Sequence, residues 1–272
     1  MPTPKITAHM IVKNDDIWVW FAIQSIIKYV DKFLIYDTGS SDNTIRVIKS
    51  INSPKIVFKT FIVDNSKKLV SLRRQQLKQT KTPWLWMIDA DEVYPKITCL
   101  EIVSAIKNSS KLEGIIVKRF DLLGDVFHYQ PDEKVGGYNL FGKTAHHSLR
   151  LVRTTIPALD ITGTYPNETF INSQKKPLIT HAKKNFFFTK NRYLHTTYLK
   201  RSSIGKNLST TLHRHKYKIE WGQKLSLLQT PKVFFKPRPN LVPDPLIKRS
   251  LDYNLTAAII TPIKVLKRKL FK

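Results

Sequence analysis

Three carboxylates follow an apolar run near residue 90. Trp84-Leu85-Trp86-Met87-Ile88 leads directly into Asp89-Ala90-Asp91-Glu92. The run predicts a buried strand of a parallel sheet, and such sheets bind ligands at the carboxyl ends of their strands. Asp89 and Asp91 are two residues apart, so in an extended chain they share a face and could hold one divalent cation beside a phosphate. The alternative is a solvated loop, because an Asp-x-Asp occurs by chance roughly once in a chain of this size.

Alternating strand and helix patterns lead up to this cluster. The predicted strands cover residues 6–12, 32–36, 55–63 and 84–88, and the helices between them cover 17–30, 45–51 and 69–80. This alternation predicts an α/β fold with a mostly parallel, doubly wound sheet and helices on both faces. The first strand is not followed by Gly-x-Gly-x-x-Gly or by a Walker-type Gly-Lys-Ser/Thr, so neither kind of phosphate loop is expected.

The pattern loosens after residue 96. We predict a helix over 97–107, strands over 114–120, 148–153 and 177–180, a helix over 186–202, and an irregular segment around Gly136-Gly137-Tyr138-Asn139 and Gly142. Five prolines within 230–245 predict a linker or a covering strap. The tail, 257–272, has the pattern of a basic amphipathic helix, which would either lie on anionic lipid or pack on the protein's own core.

Positive charge is concentrated in the last third of the chain. The 272 residues carry a net charge of +26, and residues 171–272 contain 23 Lys and Arg against 3 Asp and Glu. Such a surplus favours an anionic partner: nucleic acid, anionic lipid or a phosphorylated substrate. A lysine-rich solubilising surface is the alternative.

Cysteine content and hydropathy bear on location. Cys99 is the single cysteine, which excludes an internal disulfide and a Cys-based metal site and suits a reducing compartment. We see neither a secretory signal nor an apolar run of spanning length. We therefore expect a cytoplasmic protein, or one held peripherally on the inner face of the cytoplasmic membrane.

Four sequence blocks, taken in order, resemble those of a known family. They are Met10-Ile11-Val12-Lys13-Asn14-Asp15, the run 30–44 ending in Asp37-Thr38-Gly39-Ser40-Ser41-Asp42-Asn43-Thr44, Arg73, and Trp86-Met87-Ile88-Asp89-Ala90-Asp91-Glu92. Together they resemble family 2 glycosyltransferases with the GT-A fold, closely over 6–95 and loosely over 96–183. The resemblance implies a catalytic domain over 1–183, with a donor-binding half (1–95) and an acceptor-side half (96–183). A basic helical extension over 184–272 would follow.

The resemblance also implies an activity and a set of ligands. It implies an inverting glycosyltransferase that uses a nucleoside-diphosphate sugar and Mn²⁺ or Mg²⁺. Asp37 would bind the nucleotide base, Arg73 would lie near the nucleotide, and Asp89 and Asp91 would hold ribose and metal. The remaining nucleotide-sugar-binding positions would be Val12, Asn14, Asp15, Ser40 and Ala90. Asp15 departs from the glutamate usual in the family but keeps its charge.

Hard carboxylate ligands suit a cation that neutralises a leaving diphosphate. We assign Asp91 as the direct metal ligand and Asp89 to ribose or a water-mediated metal contact. His181 is a candidate third ligand, with a purely structural histidine as the alternative.

An acceptor hydroxyl needs a general base. Glu168 is the first candidate, and Glu92 and Asp160 are the fallback candidates. Glu168 could instead cap the next segment. Related proteins often have His-Glu where this chain has Asn167-Glu168. Arg150, Arg153, Lys183 and Lys184 could meet the diphosphate or an anionic acceptor, or be ordinary surface charge.

The expected acceptor is a cell-envelope glycan or a lipid-linked saccharide, because the basic third could bind anionic lipid. A nucleotidyltransferase that makes sugar nucleotides is one alternative, but Lys13-Asn14-Asp15-Asp16 lacks the glycines of its loop. A nucleic-acid-binding protein would explain the charge, but it leaves the strand-end carboxylates without a role.

Overall fold

The computed structural model of the protein describes residues 4–132, 139–144, 146–204 and 218–270. Residues 136–138, part of the segment expected to be irregular, lie outside that description. The strands are β1 (Ile6–Val12), β2 (Lys32–Asp37), β3 (Ile56–Thr60), β4 (Trp84–Met87), β5 (Glu92–Val93), β6 (Gly114–Asp121), β7 (His128–Tyr129), β8 (Asn139–Leu140), β9 (Lys143–Thr144), β10 (His147–Arg153), β11 (Asp160–Thr162), β12 (Thr169–Ile171), β13 (Phe186–His195) and β14 (Gln223–Lys224). The α-helices are α1 (Val19–Ile26), α2 (Thr44–Lys49), α3 (Ser66–Gln79), α4 (Lys96–Asn108) and α5 (Leu251–Leu270).

Eight strands form one central sheet in the order β3-β2-β1-β4-β10-β6-β13-β5. β3, β2, β1 and β4 run parallel, as the alternation predicted, and β13 runs parallel to β6. β10 is antiparallel to both β4 and β6, and β5 is antiparallel to β13. The predicted α/β fold class is confirmed; the sheet is mixed, and its strands β3, β2, β1 and β4 are parallel.

Helices cover both faces of the sheet. Successive residues of a strand point to opposite faces, so a strand that is apolar throughout must be covered on both. In β2, Phe33 and Ile35 share a core with α1, whereas Leu34 and Tyr36 share another with Leu69 of α3. All four β2 side chains are fully buried. This explains why β2 is apolar along its whole length instead of alternating.

The proline-rich segment 230–245 covers one side of α1. Phe234 is fully buried, and its ring centroid lies 5.5 Å from that of Phe21 and 6.4 Å from that of Trp18. Burying a phenylalanine in this way contributes about 1.5–3 kcal/mol. Of the two interpretations of this segment, the covering strap agrees with the structure.

Two secondary-structure predictions in the second half are wrong. The helix predicted over 186–202 is, over its first ten residues, the strand β13, whose aromatic residues pair with β6. The predicted strand 177–180 is a single 3-10 turn, because the amide of Thr180 donates back to the carbonyl of Pro177 at 3.0 Å. A catalytic domain ending at residue 183 would exclude β13 from its own sheet. We therefore propose that the catalytic domain extends at least to His195.

The tail helix α5 begins earlier than predicted, at Leu251, and runs to Leu270. Within the described ranges, every helix is too short or too polar to cross a lipid bilayer.

Candidate active site

The ends of several strands meet at one edge of the central sheet. In the parallel register Val12, the last residue of β1, pairs with Asp37, the last of β2. On the other side, His195 at the end of β13 pairs with Asp121 at the end of β6. The amide of Thr196 donates to the carbonyl of Asp91 at 2.9 Å, which joins the end of β13 to the loop after β4. This edge therefore gathers polar residues from distant parts of the chain.

Asp37 is fully buried at the end of β2. Its Oδ1 accepts hydrogen bonds from the amides of Gly39 and Ser40, both at 3.0 Å. Its Oδ2 is buried and accepts no hydrogen bond from any described residue. An acceptor of this kind fits a ligand N–H, because leaving it without one is costly.

The turn after β1 is fixed to the turn after β2. Asn14 has a φ of 51°, and its side-chain oxygen accepts from the amide of Ser41 at 2.8 Å. Its own amide donates to Ser40 Oγ at 2.9 Å. Asp15 is buried beside them, and its amide donates to Thr44 Oγ1 at 2.8 Å. Burial raises the pKa of Asp15 to about 7, although Arg201 opposes the shift.

Asp89 lies between two arginines. Its Oδ1 is 3.2 Å from Nη2 of Arg73, and its Oδ2 is 3.2 Å from Nη2 of Arg150. Burial opposes ionisation, but Arg150 and then Arg73 lower the pKa of Asp89. The carboxylate is therefore charged and held in a fixed orientation. Ala90, between the two aspartates, is buried.

Asp91 contacts two cationic side chains, His195 and Arg201. Its Oδ2 lies 3.3 Å from Nε2 of His195 and 3.2 Å from Nη1 of Arg201. Burial opposes ionisation, yet Arg201 and His195 hold the pKa of Asp91 far below its usual range. Arg201 also forms a two-pronged ion pair with Asp15, with Nε donating to Oδ1 at 2.8 Å. One guanidinium therefore links the loops after β1 and β4.

A second layer orients His195. Its Nδ1 lies 2.8 Å from Oδ1 of the buried Asp121, which leaves Nε2 directed at Asp91. Asp121 is itself held by Nε of Arg119 at 2.8 Å and by Nε2 of His146 at 3.0 Å. Burial alone would lower the pKa of His195, but Asp91 and Asp121 raise this pKa to about 9.

Glu92 is fully buried below this cluster and pairs with Arg150. Burial raises the pKa of Glu92 to about 7. With no exposed surface, Glu92 supports Arg150 and cannot reach an acceptor hydroxyl. Arg150 is likewise committed to Asp89 and Glu92, so the structure supports neither a direct diphosphate contact nor a surface charge for it.

The loop between β11 and β12 carries Glu168 and approaches the same edge. Tyr165 in this loop experiences the charges of Asp89, Asp91 and Glu168 together. Burial and then the charge of Asp89 raise the pKa of Tyr165 to about 12. Glu168 is half-buried and precedes a strand, so it does not cap a helix. Asp160, a fallback base, is instead paired with Arg74 at 2.8 Å.

Four predicted residues lie at the opposite end of the sheet. His181 Nδ1 pairs with Glu113 at 2.6 Å, just before β6 begins, whereas Asp121 ends that strand. The length of β6 separates the two ends by about 23 Å, so the prediction that His181 shares a metal with Asp91 is wrong. Arg153 lies over the Trp84 ring at the start of β4, and the exposed Lys183 and Lys184 precede β13.

Three residues of the site were not predicted: His195, Arg201 and Asp121. A strand reading of 186–195 would have placed the polar pair His195-Thr196 at a strand end, which is the signal that identified Asp37 and Asp89. The helix assigned to 186–202 hid it.

The side chains at Asp91 suit a hard divalent cation. A carboxylate and an imidazole nitrogen converge there, and Mn²⁺ accepts both kinds of ligand. In the described ranges, no group of three or more His, Cys, Asp or Glu is arranged to hold a metal ion. The described residues therefore offer two ligands, Asp91 and His195, which fits a cation that takes its remaining ligands from phosphate and water.

The family model described as glycosyl transferase family 2 matches residues 7–166. The match covers more than half of the chain, and it includes β1 to β4 and the strand-end residues Asp37, Asp89 and Asp91. The chain belongs to glycosyl transferase family 2. The predicted family is confirmed.

Solved structures give only distant similarities. Glucosyl-3-phosphoglycerate synthase from Mycobacterium tuberculosis, in complex with Mn²⁺, UDP and phosphoglyceric acid, is 20% identical with a TM-score of 0.39, covering 56% of this chain and 57% of that one. S. aureus TarS is 16% identical with a TM-score of 0.39, covering 56% and 29%. Mannosyltransferase PcManGT from Pyrobaculum calidifontis, in complex with GDP-Man and Mn²⁺, is 13% identical with a TM-score of 0.36, covering 43% and 36%. This chain spans less than two thirds of each of these proteins. No curated protein matches it.

Proposed function

We propose that the chain is an inverting, metal-dependent glycosyltransferase that moves a sugar from a nucleoside-diphosphate sugar to a hydroxyl acceptor. The observation that carries this proposal is the convergence of Asp15, Asp91, His195 and Arg201 at the strand-end edge. Buried carboxylates beside a guanidinium match a ligand that combines a diphosphate with a divalent cation.

The donor's nucleotide would occupy the ends of β1 and β2. Asp37 Oδ2, buried without a protein donor among the described residues, would accept an N–H of the base. Asp89, held by Arg73 and Arg150, would accept hydrogen bonds from ribose hydroxyls. Arg201, whose guanidinium is engaged by Asp15 and Asp91, would hold these two carboxylates in place and add positive charge near the diphosphate.

Mn²⁺ or Mg²⁺ would be held by Asp91 and by Nε2 of His195. When bound, the cation neutralises charge that develops on the leaving diphosphate. Asp121 holds the Nδ1 side of His195, so Nε2 would face the ion, and binding of the cation would displace the Nε2 proton. Asp89 would contact the ion through water, as the sequence suggested.

Glu168 is the proposed general base. Its carboxylate would take the acceptor hydroxyl proton while the new bond to the anomeric carbon forms and the bond to the diphosphate breaks. A single displacement of this kind inverts the anomeric configuration. The shared influence of Glu168 and Asp91 on Tyr165 supports a location beside the donor.

The proposed acceptor is a glycan or lipid-linked saccharide used in cell-envelope polysaccharide, lipopolysaccharide or glycolipid assembly. The proposed location is the cytoplasm, with peripheral attachment to the inner face of the membrane. Support comes from the surplus of cations after residue 170, which would attract an anionic surface.

A donor screen tests the reaction class. Thermal stability of the chain would be measured with UDP-, GDP- and other nucleotide sugars, with Mn²⁺ present or with EDTA. We expect one nucleotide series to stabilise the protein only with the cation, and slow donor hydrolysis to follow the same requirement. Asp91→Ala should lose both effects, whereas Asp64→Ala, at an exposed surface pair, should keep them. Donor hydrolysis that persists in EDTA would refute the metal role.

Neither alternative function is favoured by a specific observation. A nucleotidyltransferase would release pyrophosphate from a nucleoside triphosphate and a sugar phosphate, which can be tested with the same samples. A nucleic-acid-binding protein would leave the buried carboxylates at this edge without a ligand of opposite charge.

A further inference from the structure

Helix α5 is attached to the protein through its polar and small residues. The hydroxyl of Tyr253 donates to the carbonyl of Glu220 at 3.1 Å, and Thr261 Oγ1 accepts from the amide of Trp221 at 2.9 Å. Arg268 donates twice to the Glu220 carboxylate, at 2.7 and 3.0 Å. Ala257, between these contacts, is fully buried. The spacing of these residues defines one face of the helix.

The opposite face of α5 is apolar and exposed. A position two residues along a helix is rotated by about 200°, so the residues that alternate with the attached ones point away from the protein. Six large aliphatic side chains lie on that face, with exposed fractions of 58% to 72%: Leu251, Leu255, Ile259, Ile263, Leu266 and Leu270. This is the reverse of an ordinary surface helix, which buries its apolar stripe.

An apolar stripe of this length marks an interaction surface. A soluble protein rarely exposes a contiguous patch of this kind unless a partner covers it. The twenty residues of α5 extend about 30 Å, so the stripe runs along a full side of the helix. Lys267, Arg268 and Lys269 make the end of the helix too polar to insert lengthwise.

The positive charge around α5 distinguishes between a second copy of the chain and an anionic membrane as the partner. Lys267 and Lys269 are exposed beside the stripe, and residues 171–272 as a whole have a net charge of +20. A second copy of the chain would bring two strongly positive surfaces together, which is unfavourable. A bilayer that contains anionic lipids offers both an apolar layer and negative headgroups.

Trp221 supports the same partner. The residue is 47% exposed beside α5, and the Arg249 guanidinium lies 5.1 Å from its ring centroid. An indole next to a cation suits the headgroup level of a membrane, where one side of the ring is apolar and the other is wet. We propose that α5 lies in the plane of an anionic membrane surface, with its aliphatic stripe among the upper acyl chains.

The position of α5 also bears on the acceptor. A cavity of about 290 Å³ lies between α5 and the segment 198–200, and its lining includes Tyr198, Arg249 and Tyr253. Arg201 of the active site follows that segment directly. With α5 on a membrane, this side of the site would face the lipid, which favours a lipid-linked saccharide as acceptor. That step rests on the proposed function, whereas membrane binding itself does not.

Vesicle co-sedimentation of the full chain tests the binding surface without reference to activity. Vesicles of phosphatidylcholine alone would be compared with vesicles that also contain phosphatidylglycerol. We expect binding to the anionic vesicles, weakened by salt, and little binding to the neutral ones. The double variant Ile259→Glu/Ile263→Glu should bind roughly tenfold or more weakly, because it places charge in the middle of the stripe.

The matched control is Ile97→Glu/Leu100→Glu on α4, where these two aliphatic residues are 52% and 49% exposed. It adds the same charge at a distance from α5 and should leave most of the binding intact. Equal losses in both double variants, equal binding to both vesicle types, or no binding at all would overturn the proposal. A wild-type dimer in solution that the α5 variant alone converts to monomer would assign the stripe to a second copy instead. Unchanged melting temperatures would verify that both variants fold.

Discussion

The two ends of the central sheet carry similar residue types but use them differently. At the carboxyl ends of β4 and β13, the buried Asp91 contacts His195 and Arg201, and Asp37 is buried at the end of β2. At the other end, His181 and Glu113 form a pair whose side chains are 22% and 25% exposed. Parallel pairing causes the difference, because it brings the ends of strands far apart in sequence to one place. A polar residue at a strand terminus is therefore informative only together with the direction of its strand.

The balance between burial and neighbouring cations also separates the protonation behaviour of the groups at the active end. The pKa of Asp91 is lowered, whereas burial raises the pKa values of Asp15 and Glu92 to about 7. Divergent pKa values in one cluster are typical of functional sites. The surface pair at the other end is of the kind that contributes about 0–1 kcal/mol to stability.

The largest expected effect is at Glu168. Glu168→Gln removes the proton acceptor without changing the size of the side chain, so transfer to an acceptor should fall by about 10²–10⁴-fold. Donor affinity, measured by thermal shift or calorimetry, should remain within a few fold. Asp160→Asn is the matched control, since Asp160 is occupied by Arg74, and it should transfer normally. Unchanged transfer in Glu168→Gln would dismiss Glu168 as the base.

His9 lies in β1, between the two ends of the sheet, and tests whether burial there also shifts a pKa. It is fully buried, and its Nε2 is 2.6 Å from Oγ1 of Thr80. Burial and then the charge of Arg73 lower the pKa of His9 to about 3. In the unfolded chain the His9 ring takes up a proton near pH 6.5, whereas in the folded chain it stays neutral at that pH. The contribution of His9 to the free energy of unfolding is therefore complete above pH 6.5 and is lost as the pH falls.

Between pH 6.5 and 4.5 the loss due to His9 should be about 2–3 kcal/mol. Urea unfolding of the wild type and of His9→Gln at both pH values isolates this contribution. The variant should start less stable, because the Thr80 contact changes, but should lose less stability on acidification. Equal losses in the two proteins would show that His9 is accessible to protons in the folded state.

The aspartates at the ends of β2 and β4 could be predicted from sequence, whereas the site residues at and after the end of β13 could not. Asp37, Asp89 and Asp91 each follow an apolar run whose strand identity is unambiguous, so their convergence follows from the α/β alternation. His195 and Arg201 follow β13, where Phe186-Phe187-Phe188 and the interleaved basic residues also fit a helical pattern. Pairing with β6 decides the matter, and such long-range pairing overrides local propensity. Sequence spacing likewise did not show where His181 lies, because it does not reveal at which end of the sheet the segment before β13 lies.

A smaller effect is expected at Asp121, which touches the site only through His195. Asp121→Asn keeps the shape but weakens the hold on Nδ1, so the apparent affinity for Mn²⁺ should fall by about 10–100-fold. The measurement is donor hydrolysis as a function of Mn²⁺ concentration, in which saturating cation should restore most of the rate. Asp132→Asn is a suitable control, because Asp132 pairs with Lys118 and Arg192 away from Asp91. A fall in the maximal rate without a shift in the Mn²⁺ dependence would argue against the positioning role.

The smallest effect is expected at the opposite end of the sheet. His181→Ala removes a half-buried pair with Glu113 and a contact with Asn172, which should lower the free energy of unfolding by about 1 kcal/mol or less. Donor binding, Mn²⁺ dependence and transfer should all stay within about twofold of the wild type, because the length of β6 separates His181 from Asp91. His181→Gln, which keeps a hydrogen-bonding group, should recover part of the stability. If His181→Ala instead shifted the Mn²⁺ dependence as far as Asp121→Asn does, His181 would belong to the metal site and the functional separation of the two ends would fail.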